Sequence, residues 1–448
     1  MRRSGSTRPA RKMLAIALAL KLEERLTKRT APIAVVCNGK SGHAVARELA
    51  DRSHKVRVVE LGDDRSASRH GRRVYSHSPS LDGRAGETKG LDVTTDVTAI
   101  RAAEVVVISV PVPVDSHSRA DPSIVIDAAR QVAGQLRLGH LIVLRSKGYP
   151  GMTEELVRPI LESTGLRVGQ EIFLTFVSGR GGGRQRRPRA SAPVVGGSDP
   201  ISTRLGMRLV EEVDPRVVRV SSPATAEMAS LLNSVLRSVT RALINQLTWL
   251  CHGMGLRVWE VIDAAASQYP AFGSFSPGLL DGHYNLTDPS RLAWTGRIHG
   301  FPMELLELAE RINEGMPAYL VDRLVAVLQA HRSDDGPLQV LVLQGDPDDD
   351  GHRDDSLVVG VVEQLRRRTV EVAYHTPGLT PLRLDDFGEV LESRPLTDDL
   401  LSGVDCVVLL GDPGQFDYKH IVNEARLVFD PRNVTKDLVT GRNKIIPL

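Results

Sequence analysis

Three cysteines in 448 residues, Cys37, Cys251 and Cys406, stand far apart and show no metal-ligand spacing. That excludes a disulfide scaffold and a cysteine-held metal, and it suits a reducing cytoplasm. Aromatic residues make up only 4% of the chain, too few for the stacking platforms of a single-strand nucleic-acid binder. Neither sign of charge dominates, the formal balance being +2, so charge argues neither for nor against a polyanionic partner, and no nucleic-acid partner is expected. No apolar run reaches 18 residues, so no membrane span is expected. The nearest approach, Met13–Leu20, follows the basic stretch MRRSGSTRPARK, which reads as disordered. The run itself mimics a secretory leader. Lys21, Glu23, Glu24, Arg25 and Lys28 follow at once without a small-residue cleavage site, which points to an extra helix or a start codon placed too early instead.

The length suits two or three domains with a large core. The longest helix-period pattern runs from Ser221 to Ala266, with Met228, Leu231, Leu232, Val235, Leu236, Val239, Leu243, Ile244, Leu247 and Leu250 spaced three and four apart. Ser222-Pro223 gives it a start signal and Gly253 and Gly255 an end. A helix from about Ala224 to about Cys251 is expected, roughly 40 Å long. It is either a long core helix or a spine joining two α/β halves, able to pack on its copy. On either side the chain alternates strand and helix: IAVVC, KVRVVEL, EVVVISVPVP and LIVLRS before it, LQVLVL, VEVAYHTP, VDCVVLLGD and ARLVFDPRN (expected as the last strand) after it. Strands separated by helices imply parallel sheets.

After the first strand comes Cys37-Asn38-Gly39-Lys40-Ser41-Gly42. A dinucleotide pyrophosphate needs a tight turn, close backbone approach and a helix N-terminus, supplied by G-x-G-x-x-G. Here Cys37 takes the first glycine position. Glu60 lies 18 residues after Gly42, at the end of the second strand, where a carboxylate accepts hydrogen bonds from an adenosine ribose and disfavours a 2′-phosphate, so NAD is the expected cofactor. Gly39, Lys40, Ser41, Gly42 and Glu60, with Val110 and Pro111 after the third strand, form the expected cofactor site. The alternative is a Rossmann-type domain that no longer binds a dinucleotide. A P-loop reading of Lys40-Ser41 fails on the upstream glycine spacing.

The motifs VVCNGKSGHAVA, ISVPVP, RSKGYPGMTEELVRPIL, VVGG, SSPATAEMASLL, GLRVWEVIDAAA, GHYNLTDP and LVFDPRN resemble the UDP-glucose/GDP-mannose dehydrogenase family of nucleotide-sugar 6-dehydrogenases, UDP-N-acetylmannosamine dehydrogenases in particular. The resemblance runs from about Pro32 to Asn433. It implies an α/β fold of two Rossmann-like parallel-sheet domains joined by a long central helix and a helical middle domain. It also implies two successive oxidations at C6 by NAD through a cysteine-bound thiohemiacetal and thioester, and a UDP-hexose substrate. Such chemistry needs a thiolate to capture the aldehyde, a lysine and an asparagine to stabilise the oxyanion and acids to manage protons.

Aligned on that family, this chain departs at six positions. Tyr284 stands at the cysteine position, Ser230 at the lysine, Ser234 at the asparagine, Val112 at a threonine, Arg145 at an acid and Gly179, followed by Arg180, at a glutamate. Asp288 keeps its identity, and His283, Tyr284 and Asp288 are the residues left for proton work. A phenol with pKa near roughly 10 is a poor nucleophile, and each lost oxyanion donor removes about 3–4 kcal/mol. The two-step oxidation is therefore not expected. The expectation is an NAD-binding pseudoenzyme, a regulatory or scaffold subunit, with an NAD-dependent oxidoreductase or epimerase of altered chemistry as the alternative. A third reading, an orthodox dehydrogenase, would need a cysteine in the site.

Phe176–Arg189 (FVSGRGGGRQRRPR) is either an anion clamp or, as charge runs usually are, a solvated loop. The acidic run 346–355 has D-x-D spacing open to Mg²⁺, though an exposed loop is the commoner case, so no metal is expected; Arg353 is its expected substrate-binding arginine, alongside Arg180, Ser230 and Ser234. The expected organisation is a tail with an extra helix (1–30), an NAD-binding domain (31–220), a central helical and dimerisation domain (221–335) and a UDP-binding-like Rossmann domain (336–448). A homodimer, or pairing with an active relative, is expected on the family pattern.

Overall fold

The structure, a computed structural model, describes residues 7–52, 54–62, 91–114, 119–179, 192–268, 277, 287–331, 336–345, 356–384, 387–411 and 416–448. The chain forms two compact units, Met1–Val235 with Leu286–Met303, and Leu236–Asn285 with Glu304–Leu448.

In the first unit the order is α1 (Thr7–Thr27), β1 (Ile33–Cys37), α2 (Lys40–Ala50), β2 (Val56–Glu60), β3 (Asp92–Thr94), β4 (Val105–Ser109), α3 (Ser123–Ala133), β5 (Leu141–Leu144), a π-helical turn (Met152–Val157) running into α4 (Arg158–Glu162), β6 (Phe173–Val177), β7 (Val194–Gly197), α5 (Pro200–Glu211), β8 (Val218–Arg219) and the start of α6 (Pro223–Gly253). Every residue of β1, β4, β5 and β6 is buried. Such continuous apolar runs belong to parallel strands covered on both faces. The strands pair in the order β3-β2-β1-β4-β5-β6-β7-β8, parallel except where β7 runs against β6. The first six follow the dinucleotide-binding order, whose switch point lies between β1 and β4. Cys37 there pairs with Glu60 on one side and Ser109 on the other.

One face of the sheet is covered by the core built on α3, the π turn and α4, the other by α1, α2 and α5. The extra helix α1 buries Ala15, Ala19, Leu22 and Leu26, four and three apart, the last three of them in that second core. Leu22 and Leu26 alone account for roughly 1.5–3 kcal/mol each. The helix begins at Thr7, inside the stretch expected to be disordered: the apolar stripe gives this end of the chain a surface to fold onto.

Helix α6 runs for 31 residues, close to the expected span. In the second unit follow α7 (Val258–Gln268), then, after α8 (Thr287–Ile298) of the first unit, α9 (Glu304–Glu314), α10 (Met316–His331), β9 (Gln339–Leu343), α11 (Ser356–Arg367), β10 (Glu371–His375), the antiparallel pair β11 (Leu382–Leu384) and β12 (Glu389–Leu391), α12 (Asp398–Gly403), β13 (Cys406–Leu409), α13 (Tyr418–Glu424), β14 (Val428–Asp430) and β15 (Ile445–Pro447). Its main sheet is parallel, in the order β10-β9-β13-β14-β15. The final strand is therefore β15, not the LVFDPRN segment. Three residues after a charged stretch carry no period of their own, and pairing with β14 makes them a strand. Asp430 is a local organiser: its buried carboxylate accepts from the backbone N–H groups of Arg432, Val434 and Thr435, with Asn433 in the left-handed region between them. Among the described residues no helix is long and apolar enough to cross a membrane, and no cluster of His, Cys, Asp and Glu could hold a metal.

Candidate functional site

The glycine loop follows from backbone geometry. Gly39 has φ +92° and ψ −168°, a conformation essentially reserved for glycine. No atom lies within 4 Å of where its Cβ would stand, so the backbone faces open space. At Gly42 the reason is packing: a Cβ would lie 2.0 Å from Cys37 Cβ and 2.7 Å from Sγ. Cys37 itself is not among the residues with positive φ. The first fingerprint position thus does not need glycine in this chain, and its side chain fills the contact between β1 and α2. Among the described residues no side chain caps the N-terminus of α2, and its first N–H groups and its dipole suit an anion. The side chains of Lys40 and Ser41 lie outside the described residues. Glu60, a third exposed, is held by His43 on the first turn of α2, Nε2 to Oε1 at 2.9 Å. An uncapped helix end, an open glycine turn and a fixed carboxylate one strand away fit a dinucleotide. Val110, buried after β4, donates its N–H to Ser146 Oγ at 2.9 Å, and Pro111 follows at the surface.

A second cluster lies beyond β5. Asp288, in the first turn of α8, is fully buried. Arg291, one turn on and also buried, donates from Nη1 to Asp288 Oδ1 at 2.6 Å and from Nη2 to the carbonyl of Val112. Burial pushes the Arg291 pKa down, opposed by the adjacent carboxylate. Lys147 approaches from the other side, Nζ lying 3.3 Å from Asp288 Oδ2 and 3.4 Å from Ser234 Oγ on α6. Ser230 and Lys147 line the same small cleft with Gly148, Phe176, Glu227 and Leu231.

Glu227 fixes the geometry. Its carboxylate, 2% exposed, accepts from the backbone N–H of Gly151 at 2.7 Å and of Thr153 at 2.9 Å, and from the Thr153 hydroxyl at 2.5 Å. Burial pushes its pKa up, against the pull of those donors. The loop carrying Lys147 is thereby tied to the helix carrying Ser230 and Ser234.

The structure therefore brings Asp288, Ser234, Ser230 and Val112 together around residues the sequence reading did not single out: Lys147, Arg291 and Glu227. Lys147 and Glu227 sit inside quoted motifs, but only the fold shows that they face one site; His43, also missed, directly follows the glycine loop. Arg145 and Gly179 adjoin each other elsewhere. Arg145 donates to Glu48 at 3.1 Å, and a Cβ on residue 179 would stand 3.2 Å from its Nη2. A side chain at position 179 would press on the tip of Arg145, which would have to shift by a few tenths of an ångström. Tyr284, His283, Arg180 and Arg353, with the Arg-rich loop and the acidic run 346–355, lie outside the described residues. All three cysteines are buried, and burial pushes the thiols of Cys37 and Cys406 up to about 12.

Strand order, glycine turn and terminal carboxylate define a dinucleotide-binding α/β protein. Residues 31–175 match the NAD binding domain, and residues 224–315 the central domain, of the UDP-glucose/GDP-mannose dehydrogenase family. The chain belongs to that family, whose members use NAD. It is 28% identical over 322 residues to the UDP-N-acetyl-D-glucosamine 6-dehydrogenase of Pseudomonas aeruginosa, covering 67% of this chain and 75% of that one. It is 27% identical over 378 residues to the UDP-N-acetyl-D-mannosamine dehydrogenase of Pyrococcus horikoshii, covering 81% and 86%. The fold is that of the solved UDP-D-ManNAc dehydrogenase from Pyrococcus horikoshii, with TM-score 0.72, 22% identity and coverage of 93% of this chain and 98% of that one.

Proposed function

We propose that this protein is an NAD-binding member of the family that does not carry out the thiol-dependent double oxidation of a UDP-hexose. It serves as a pseudoenzyme, a regulatory or scaffold subunit in sugar or natural-product biosynthesis. The observation that carries this reading is the state of the cysteines. The chain has three, each is buried, and two have thiols pushed up to about 12. A thiohemiacetal requires a thiolate within reach of the aldehyde. In the alignment with the family Tyr284 stands where that thiol would be. Gly39, Gly42 and the N-terminus of α2 would take the pyrophosphate, and Glu60, held by His43, the adenosine ribose. The reading keeps the four-part division set out from the sequence.

A second reading, a single oxidation or an epimerisation of a nucleotide sugar, is favoured by the Lys147–Asp288–Arg291 cluster. NAD, when bound, would supply the hydride acceptor; Asp288, with His283 and Tyr284, would manage the proton. The homodimer, or pairing with an active relative, is supported by the exposed Met228, Leu232, Leu236, Leu243 and Leu250 along α6. A monomer in sedimentation at micromolar concentration would contradict it.

The test is calorimetric titration with NAD and with UDP- and GDP-sugars, followed by NADH absorbance. NAD binding without turnover is expected. NADH formation that stops at one equivalent per sugar supports the second reading, and accumulation of a uronic acid overturns both.

A further inference from the structure

Between Lys12 and Lys21, helix α1 carries no charged residue. Ala15 and Ala19 are buried, yet Met13, Leu14, Ile16 and Leu20 are exposed, Met13 by 73% and Leu20 by 56%. They fall in two rows: Met13, Ile16 and Leu20, three and four apart, and Leu14 with the half-buried Leu18, four apart. The second row continues onto the body of the unit. A Cβ on Gly139 would stand 3.3 Å from Leu18 Cδ2, and Leu138 just before it is 52% exposed. A helix segment that is apolar all round is normally covered all round, and a contiguous exposed apolar patch marks an interaction site.

Charge decides what covers it. Arg8, Arg11 and Lys12 stand near the start of α1, after Arg2 and Arg3, and no acid precedes Glu23 in the sequence. Arg11 and Lys12 are exposed and have no carboxylate partner among the described residues. The acids around the other half of the helix are already paired: Glu23 with Arg204 at 3.3 Å, Glu24 with Lys28 at 2.6 Å, Glu104 with Arg25 at 2.5 Å and Glu212 with Arg29 at 2.8 Å. A second copy of this helix therefore brings no free carboxylate to the basic end. The partner that fits is negatively charged at its surface and apolar beneath.

We propose that the outer face of α1 docks on an anionic lipid bilayer, with the helix lying in the plane of the surface. Met13, Leu14, Ile16, Leu20 and Leu138 enter the boundary between headgroups and acyl chains, and the basic end of the helix stays among the lipid phosphates. This is adsorption to a surface and not a span. The opposite face of the same helix, through Ala19, Leu22 and Leu26, holds it to the unit, so the lipid contact is carried by the folded protein. The inference does not depend on the proposed function.

The experiment sediments the full-length protein with vesicles of phosphatidylcholine alone and of phosphatidylcholine mixed with phosphatidylglycerol, at low and high salt. Two variants are compared with the parent: Met13→Ser with Leu20→Ser, and Arg11→Gln with Lys12→Gln. All four positions are exposed and the buried face is untouched, so both variants should melt like the parent. The parent should bind the anionic vesicles at least about tenfold more tightly than the neutral ones, and less tightly at high salt. Each pair of substitutions should weaken that binding by about tenfold or more. A parent that stays in the supernatant with anionic vesicles overturns the inference, a result that needs no variant. Equal binding to both kinds of vesicle refutes the part given to charge, and undiminished binding by Met13→Ser with Leu20→Ser refutes the part given to the apolar rows. A parent dimer that this apolar variant dissolves, seen in sedimentation velocity, would give the face to a second copy and overturn the inference too.

Discussion

Replacing Gly42 by alanine tests the account of the altered glycine fingerprint. The new methyl would lie 2.0 Å from Cys37 Cβ and 2.7 Å from its Sγ, where carbon atoms rest at about 3.5–4.0 Å. The N-terminal end of α2 must therefore lift from β1 by well over ~1 Å. Overpacking of this kind costs about 1–3 kcal/mol, which for a unit of this size lowers the melting temperature by roughly 2–4 °C per kcal/mol. NAD affinity should fall with it, because the N–H groups that would meet the pyrophosphate move. Cys37→Gly removes both colliding atoms. Alone it loses a small buried side chain and adds backbone freedom, about 0.5–1 kcal/mol for the latter. The two changes therefore do not add: the double variant should be more stable than the sum of the singles by at least about 1 kcal/mol. Differential scanning fluorimetry and calorimetry with NAD read both effects. An unchanged melt and NAD affinity in Gly42→Ala, or strict additivity in the cycle, would refute the reasoning.

Three further outcomes are expected. Glu60→Ala should weaken NAD about tenfold to a hundredfold by calorimetry, the range for hydrogen bonds to a charged group; unchanged affinity would place the ribose elsewhere. Asp288→Asn strips the buried Arg291 of its counter-charge and should cost about 3–5 kcal/mol in chemical denaturation, a result that a merely superficial ion pair would not give. In mass spectrometry after iodoacetamide at pH 8, native protein should stay unmodified and urea-unfolded protein should take three adducts, since all three cysteines are buried; rapid native alkylation would reopen a thiol mechanism.

Much of the first unit was legible because parallel strands buried on both faces leave unbroken apolar runs, as in IAVVC and EVVVIS. The shape of the glycine loop was legible at Gly39 and Gly42, since a required backbone angle and a close helix contact act through residues adjacent in sequence. The Lys147 cluster was not. Lys147 and Asp288 are 141 positions apart, and nothing in RSKGYPG says which wall of which cleft its lysine reaches. Arg145 and Gly179, 34 positions apart, read as unrelated departures, and only the fold shows that they adjoin. The short β15 was missed because its neighbour, not its composition, makes it a strand.

The buried carboxylate of Glu227 binds the backbone N–H of Gly151, just before the π turn, and of Thr153 within it. The part of α6 in the first unit and the loop after β5 are consequently tied together. Amide protons of Gly151 and Thr153 should exchange with solvent only when the whole unit opens, not through local fraying. Local breathing near Lys147 has to come from segments other than these two.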